Sequence, residues 1–160
     1  MLCPLWKPML QPNHERIVNY LSNGRVFSGL DDVSIRQLAS RATLRRYWAG
    51  ETILVDSGQI SELHVVGSGS VKIVVTVPRG DEAVIGIAGQ GDVVGDDGLL
   101  TCGQRSCVDV IALEDSELVH FPHATLTEFL RSEPRFAINL LEVLYERLHR
   151  ITAILEDVGA

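Results

Sequence analysis

The sequence has few of the features that mark metal-binding, secreted or membrane-spanning proteins. Its three cysteines, Cys3, Cys102 and Cys107, match neither the spacing of a zinc or iron–sulfur site nor that of a disulfide framework. Prolines and a lysine interrupt the apolar residues near the N-terminus, so this stretch predicts neither a signal peptide nor a membrane span. No low-complexity segment or internal repeat is present.

Positive charge is also scarce. The chain has 14 Lys and Arg against 21 Asp and Glu, which gives a formal net charge of -7. This balance argues against a surface that grips a nucleic-acid backbone or an anionic membrane. We therefore expect a cytoplasmic protein with reduced thiols, no metal, no cofactor and no direct contact with nucleic acid or membrane.

The 160 residues are sufficient for one domain with its own core. The pattern divides them into an N-terminal arm (1–24), a β-rich domain with short flanking helices (25–133) and a C-terminal helix (134–160). A helix is expected around His14–Ser22, and Asp31 is a suitable N-cap for a second helix.

Between Leu44 and Phe121, short runs rich in valine and isoleucine alternate with closely spaced glycines. Short strands with such regular turn signals predict an antiparallel β-roll or jelly-roll barrel with flanking helices. The expected strands are Thr43–Trp48, Thr52–Val55, Leu63–Ser68, Ser70–Val77, Ala83–Ala88, Cys107–Ala112 and Ser116–Phe121.

The sequence after Phe121 is helical in pattern. We expect a short helix at His123–Arg131 and a long one from Pro134, which suits a first helical turn, to about Val158. Its first half should pack on the barrel through Phe136, Ile138 and Leu140. Further along, apolar residues recur in alternating steps of three and four, a narrow seam that favours a partner helix and hence a homodimer. The alternative is that the helix packs only along its own barrel. The seam comprises Leu141, Leu144, Leu148, Ile151, Leu155 and Val158.

The segment GDVVGDDGLLTCGQRSCVDV carries the clearest chemical signal. Gly95 and Gly98 allow a tight turn whose backbone approaches a ligand closely, and Leu99 anchors the segment to the core. A helical turn near Gly98 would direct free N–H groups at an anion. Arg105 adds a planar guanidinium suited to phosphate, and Ser106 adds a hydroxyl donor.

An acid in the same segment points to a sugar phosphate, since the carboxylate of Asp96 can accept hydrogen bonds from ribose hydroxyls. Gly95-Asp96-Asp97-Gly98-Leu99 followed by Arg105-Ser106 resembles the phosphate-binding cassette of cyclic nucleotide-binding domains. That cassette reads Gly-Glu-x-(Ala/Gly)-Leu and, after a short loop, Arg-(Ser/Ala). The long closing helix resembles that of Crp/Fnr-type transcription regulators, and the resemblance covers roughly residues 25–158.

The resemblance implies the effector-binding sensor domain of such a regulator, with a cyclic nucleotide, cAMP above all, as its ligand. Asp96 would bind the ribose 2′-hydroxyl and Arg105 the cyclic phosphate. Ser106 and the backbone around Gly95 and Gly98 would complete the anion site.

In the same family, two residues late in the long helix reach the base, one from each subunit. The matching positions are Ile151 and Thr152, of which Thr152 can hydrogen-bond to a base edge and Ile151 can only pack. Crp/Fnr-type regulators continue into a helix-turn-helix domain, and this sequence has no candidate recognition helix. The resemblance therefore implies the sensor part of a longer regulator, or a stand-alone binding module.

Three departures from the family pattern keep another possibility open. Asp96 stands in place of the usual Glu, Asp97 adds a second negative charge, and Val94 replaces a common Phe. The alternative is a dimerisation or interaction module with a degenerate pocket or a different small-molecule ligand.

The histidines do not favour an enzyme. A metal-dependent cupin barrel needs a His-x-His motif with a downstream Glu, and His120-Phe121-Pro122-His123 does not supply that spacing. We expect His64, His120, His123 and His149 to lie at the surface or to be partly satisfied, with no catalytic residues.

Overall fold

The computed structural model describes residues 13–54, 62–76, 79–95 and 108–159. A 3-10 turn, Arg25–Phe27, follows the first of the helices, which are α1 His14–Ser22, α2 Asp32–Ala39, α3 His123–Ser132 and α4 Pro134–Gly159. The described strands are β1 Thr43–Tyr47, β2 Thr52–Leu54, β3 Glu62–Ser68, β4 Val71–Thr76, β5 Glu82–Ala88, β6 Val93–Val94, β7 Val108–Ala112 and β8 Ser116–Pro122.

The strands form two sheets, with orders β1-β8-β3-β6 and β2-β7-β4-β5, and every described pairing is antiparallel. Side chains of both sheets meet in one buried cluster, to which the first sheet gives Val66 and Leu118 and the second gives Val71 and Val110. The two sheets therefore face each other across an apolar interior. This arrangement confirms the predicted antiparallel β-roll with flanking helices and a long C-terminal helix.

The other face of the first sheet is covered by the helices. Leu63 and Phe121 project from this face into a second buried cluster with Leu21 of α1, Phe27 and Phe136 of α4. The rings of Phe27 and Phe136 stack with their centroids 5.3 Å apart. The helix of the predicted N-terminal arm thus packs into the same core as the β-rich part, while the division of the chain at residues 24 and 133 stays a prediction.

Local sequence signals account for the starts of two helices. Asp31 accepts a hydrogen bond from the backbone N–H of Ser34 at 2.7 Å, which caps α2 and lowers the pKa of this carboxyl group. Pro134 is the first residue of α4, as predicted. The two-residue strand β6 and the 3-10 turn were not predicted, because neither is long enough to show a hydrophobic period.

Helix α4 presents apolar side chains on two faces, and the predicted assignment of residues to these faces was partly wrong. Phe136 and Leu140 are buried in the core as expected, but Ile138 is 49% exposed. Leu144 packs against the core cluster, and Ile151 is only half-buried. The predicted seam thus mixed residues of the inner and outer faces.

Apart from Ile154, the large exposed apolar residues of α4 follow one helical row. They recur at steps of three, four, three and seven residues and are between 49% and 65% exposed; they are Ile138, Leu141, Tyr145, Leu148 and Leu155. Spacing of this kind places them on one side of the helix, which we call the outer face. The outer face stays uncovered in the described part of the single chain.

Polar contacts fix the first half of α4 on the domain. The buried side-chain amide of Asn139 donates to the carbonyls of Val26 at 3.0 Å and Ser28 at 2.8 Å. Arg25 and Glu146 form two hydrogen bonds of 2.5 Å each, a bidentate ion pair between the 3-10 turn and α4. The helix is therefore held along its inner face up to about its midpoint.

Candidate ligand-binding site

A pocket of about 540 Å³ lies between the second sheet, β6 and the second half of α4. This volume falls within the ordinary range for small-molecule sites, roughly 300–1,000 Å³. Ile73 and Val110 of the roll interior form one apolar wall, and Ile151 and Ile154 of α4 form another. Two largely apolar walls with a gap between them suit a flat, partly apolar ligand.

The polar groups at this pocket are mostly basic, and come from Arg25, Asp92, Arg147 and Arg150. The guanidinium of Arg147 donates to the carbonyl of Val93 at 2.9 Å, which ties α4 to β6. This local excess of positive charge contrasts with the acidic chain as a whole and suits an anionic ligand.

Arg25 and Asp92 are also engaged within the domain. Glu146 forms the bidentate ion pair with Arg25, and this contact holds the pKa of the Glu146 carboxyl below its ordinary value. Asp92 accepts a hydrogen bond from the backbone N–H of Gly89 at 2.9 Å and so closes the turn before β6. Arg25 and Asp92 therefore shape the rim of the pocket.

Gly95, the first residue of the predicted cassette, is buried and lies at the wall of this pocket. Its φ of 84° is in the left-handed region, which glycine adopts without the strain that a side chain would bring. The other predicted cassette residues, Asp96, Gly98, Leu99, Arg105 and Ser106, lie outside the described residues, and their roles stay predictions.

The two predicted base contacts on α4 separate in the structure. Ile151 lines the pocket, whereas Thr152 is exposed and its hydroxyl donates to the carbonyl of Leu148 at 2.9 Å. Thr152 thus lies beside the outer face, turned away from the pocket of its own chain. A role for Thr152 at a ligand of a second copy stays a prediction.

Sequence reasoning missed Arg147 and Arg150. A usable signal was available, because residues 147, 150, 151 and 154 are related by steps of three and four and so share one helix face. Because Ile151 was expected at the base, Arg147 and Arg150 could have been predicted to face the same pocket.

Two of the histidines expected to lie at the surface or to be partly satisfied, His64 and His120, are buried inside the roll. His64 and His120 are 1% and 2% exposed, and their rings meet edge to face with centroids 4.1 Å apart. His120 also shares a 3.0 Å hydrogen bond with the hydroxyl of Tyr47. Burial lowers the pKa of His120 to about 4, with a smaller contribution from Arg45.

The described segments contain no group of three or more His, Cys, Asp or Glu side chains arranged to hold a metal ion. None of their helices has both the length and the apolar character needed to cross a bilayer.

The comparison with protein families identifies the family of the chain. The family model of the cyclic nucleotide-binding domain matches residues 44–133, more than half of the chain. The chain belongs to this family. The matched cyclic nucleotide-binding domain covers β1 to α3 and includes the whole predicted cassette.

Similar proteins include Crp-type regulators. The cyclic nucleotide-binding domain is 30% identical over 123 residues to the cyclic AMP receptor protein of Thermus thermophilus, covering 77% of this chain and 56% of that protein. It is 25% identical over 138 residues to the CRP-like cAMP-activated global transcriptional regulator of Mycobacterium tuberculosis, covering 86% and 61%. The chain therefore spans less than two thirds of the length of these relatives.

The fold agrees with this assignment. The crystal structure of the Thermus thermophilus catabolite activator protein superposes on the cyclic nucleotide-binding domain with a TM-score of 0.73 at 27% identity. The match covers 85% of this chain and 63% of that chain. The two-sheet roll and the long closing helix are thus features that this domain shares with a Crp-type regulator.

Proposed function

We propose that this chain is the effector-binding sensor domain of a Crp/Fnr-like transcription regulator and that it binds a cyclic nucleotide, with cAMP as the first candidate. The observation that carries the proposal is the pocket between the roll and α4, with left-handed Gly95 at its wall. The names of the relatives from Thermus thermophilus and Mycobacterium tuberculosis, which contain cyclic AMP and cAMP, support this choice of ligand. The chain acts by binding and not by catalysis.

Within this proposal the cassette holds the sugar phosphate. Arg105 pairs with the cyclic phosphate and Ser106 donates to it, together with backbone N–H groups near Gly95 and Gly98. Asp96 accepts from the ribose 2′-hydroxyl, and Leu99 anchors the segment. The base lies between the interior of the roll and α4, where the pocket walls are apolar.

The domain transmits its signal as a homodimer. The outer face of α4 is an apolar row from Ile138 to Leu155, and a second copy of α4 is the surface that a repeating seam fits best. Thr152 lies beside this row, where it can face the ligand of the partner chain. Ligand binding would then favour one arrangement of the paired helices over another and relay the signal to a DNA-binding domain outside this chain.

Thermal-shift and calorimetric titrations with cAMP and cGMP test the ligand assignment. Binding with a Kd in the micromolar range would raise the melting temperature at millimolar nucleotide, because ligand stabilises the folded state by mass action. We expect a rise with at least one of the two nucleotides and none with 5′-AMP. If neither cyclic nucleotide binds, the ligand assignment is wrong although the family assignment stands.

A second candidate function is a dimerisation module whose pocket holds a different ligand or none. The observation in its favour is that the outer face of α4 is separate from the pocket and does not need a ligand to be apolar. Dimerisation without nucleotide binding in the titrations above would support this candidate.

Introducing a charge on the outer face tests the dimer. Leu148→Glu should weaken dimerisation at least tenfold, because two carboxylates would face each other where two apolar side chains met. Light scattering and analytical ultracentrifugation over a range of concentrations measure the change. Val33→Glu is the matched control, since Val33 is 63% exposed on α2 and Leu148 is 61% exposed. A monomeric parent chain at high concentration would show that the outer face has another use.

A further inference from the structure

The inner face of α4 brings two arginines to the pocket, one helical turn apart. Arg147 and Arg150 both line it, with Ile151 and Ile154 beside them on the same face. Neither arginine belongs to the predicted cassette, and no role was predicted for either of them. The pocket therefore has a basic group on its helix side in addition to whatever the cassette supplies.

The two guanidinium groups differ in their freedom to meet a ligand. Arg147 donates to the Val93 carbonyl at 2.9 Å and is half-buried, so its position is fixed by β6. Arg150 is exposed and makes no hydrogen bond within the part of the chain that the structure describes, while its charge contributes to the lowered pKa of the Glu146 carboxyl. Arg25, the third arginine here, is paired with Glu146. Arg150 is thus the pocket arginine with its donors available.

The position of Arg150 along α4 favours contact with the base of the nucleotide over contact with its phosphate. Arg147 is level with β6, which leads into the predicted cassette at Gly95. Arg150 lies three residues further along the helix, about 4.5 Å at the usual rise. The pocket is also lined by Ile151, Ile154 and residues of β5, which are surfaces for a flat ring. An arginine beside such surfaces can meet the edge of a base.

The chemistry of the guanidinium then discriminates between purines. Its parallel N–H donors need two adjacent acceptors, which guanine offers at O6 and N7. Adenine offers an acceptor at N7 but an N–H donor at the neighbouring amino group, and this donor opposes the second N–H of the arginine. We propose that Arg150 reads the O6/N7 edge of the base and raises the affinity of this pocket for guanine relative to adenine. This inference rests on the proposed function, because it assumes that a cyclic purine nucleotide occupies the pocket.

The affinities of three proteins for three cyclic nucleotides test the proposal. Calorimetry gives the Kd of cAMP, cGMP and cyclic IMP for the parent chain, Arg150→Gln and Arg150→Lys. Cyclic IMP keeps O6 and N7 but lacks the 2-amino group, so it isolates the proposed contact. We expect Arg150→Gln to weaken cGMP and cyclic IMP about fivefold, the low end for a bidentate base contact because Arg150 is exposed, and to leave cAMP within twofold.

The lysine variant distinguishes the effect of the planar guanidinium from the effect of its positive charge. Arg150→Lys keeps the positive charge without the fork, so it should lose most of the preference for cGMP and cyclic IMP. Arg131→Gln, an exposed arginine on α3, is the control and should change none of the three affinities. The proposal is wrong if Arg150→Gln weakens all three nucleotides equally, which would mark a phosphate contact, or changes none of them. Absence of binding by all three would instead contradict the proposed function.

Discussion

Replacing Arg105 with alanine should lower the affinity for the cyclic nucleotide by about 2 to 4 kcal/mol, roughly 30-fold to 1,000-fold in Kd. The reason is that, in the proposed binding mode, the phosphate would lose its bidentate guanidinium partner. A surface arginine paired with a neighbouring acid would contribute far less, on the order of 0–1 kcal/mol. Calorimetric titration of the variant and the parent chain with the tighter-binding nucleotide measures the difference.

Two further variants make this result specific. Arg105→Lys keeps the charge but not the planar fork and should bind with intermediate affinity. Arg131→Ala removes an exposed arginine elsewhere and should bind as tightly as the parent. An affinity for the Arg105→Ala protein within threefold of the parent would mean that the phosphate is held elsewhere, and the cassette roles assigned above would be wrong.

Lowering the pH from 7.5 to 5 should destabilise the fold by about 2 kcal/mol through His120 alone. The pKa of His120 is about 4 in the folded domain, and an exposed histidine in the unfolded chain titrates near 6.5. Between these values the unfolded state binds the additional proton, so the free energy of unfolding rises with pH and the contribution is complete above about pH 6.5. Urea unfolding followed by circular dichroism at pH 7.5, 6 and 5 measures this slope.

Other groups also titrate as the pH falls, so the comparison between variants carries the test. His120→Gln has no titrating ring and should lose about 2 kcal/mol less than the parent over the same pH range. His149→Gln, with an exposed ring on α4, should follow the parent profile. Equal slopes for the parent and His120→Gln would show that the buried ring near His64 and Tyr47 does not keep a depressed pKa.

The sequence predicted the elements of this fold well because each is marked by a local signal. The predicted bounds of the strands and helices agree with the described ones to within a residue, and glycine-rich turns explain why. Asp31 and Pro134 marked two helix starts through cap and first-turn chemistry.

What the sequence could not settle is which of two apolar surfaces of α4 faces the domain. The helix has apolar residues on more than one side, so a rule of alternating threes and fours fits more than one set of residues. Asn139 decides between them, because its bonds to Val26 and Ser28 fix the rotation of the helix and leave Ile138 outside. These are long-range contacts, which no local pattern contains.

The site was predictable only in part for the same reason. Gly95 was identified from a local motif, and the structure places it at the pocket wall with a positive φ. Arg150 reaches the pocket only because α4 folds back across β5 and β6. The burial of His64 and His120 likewise depends on β3 pairing with β8, where these two residues are register partners.

The tie between Arg147 and Val93 has a mechanical consequence. It is the last described polar contact between α4 and the body of the domain, and twelve further residues of helix follow it to Gly159. At the usual rise these residues make a lever about 18 Å long with its fulcrum at β6. A tilt of only about 10° at that fulcrum would displace the helix end by about 3 Å, roughly half of one helical turn. A tilt of α4 about this contact therefore moves the far end of the helix much more than the residues next to β6.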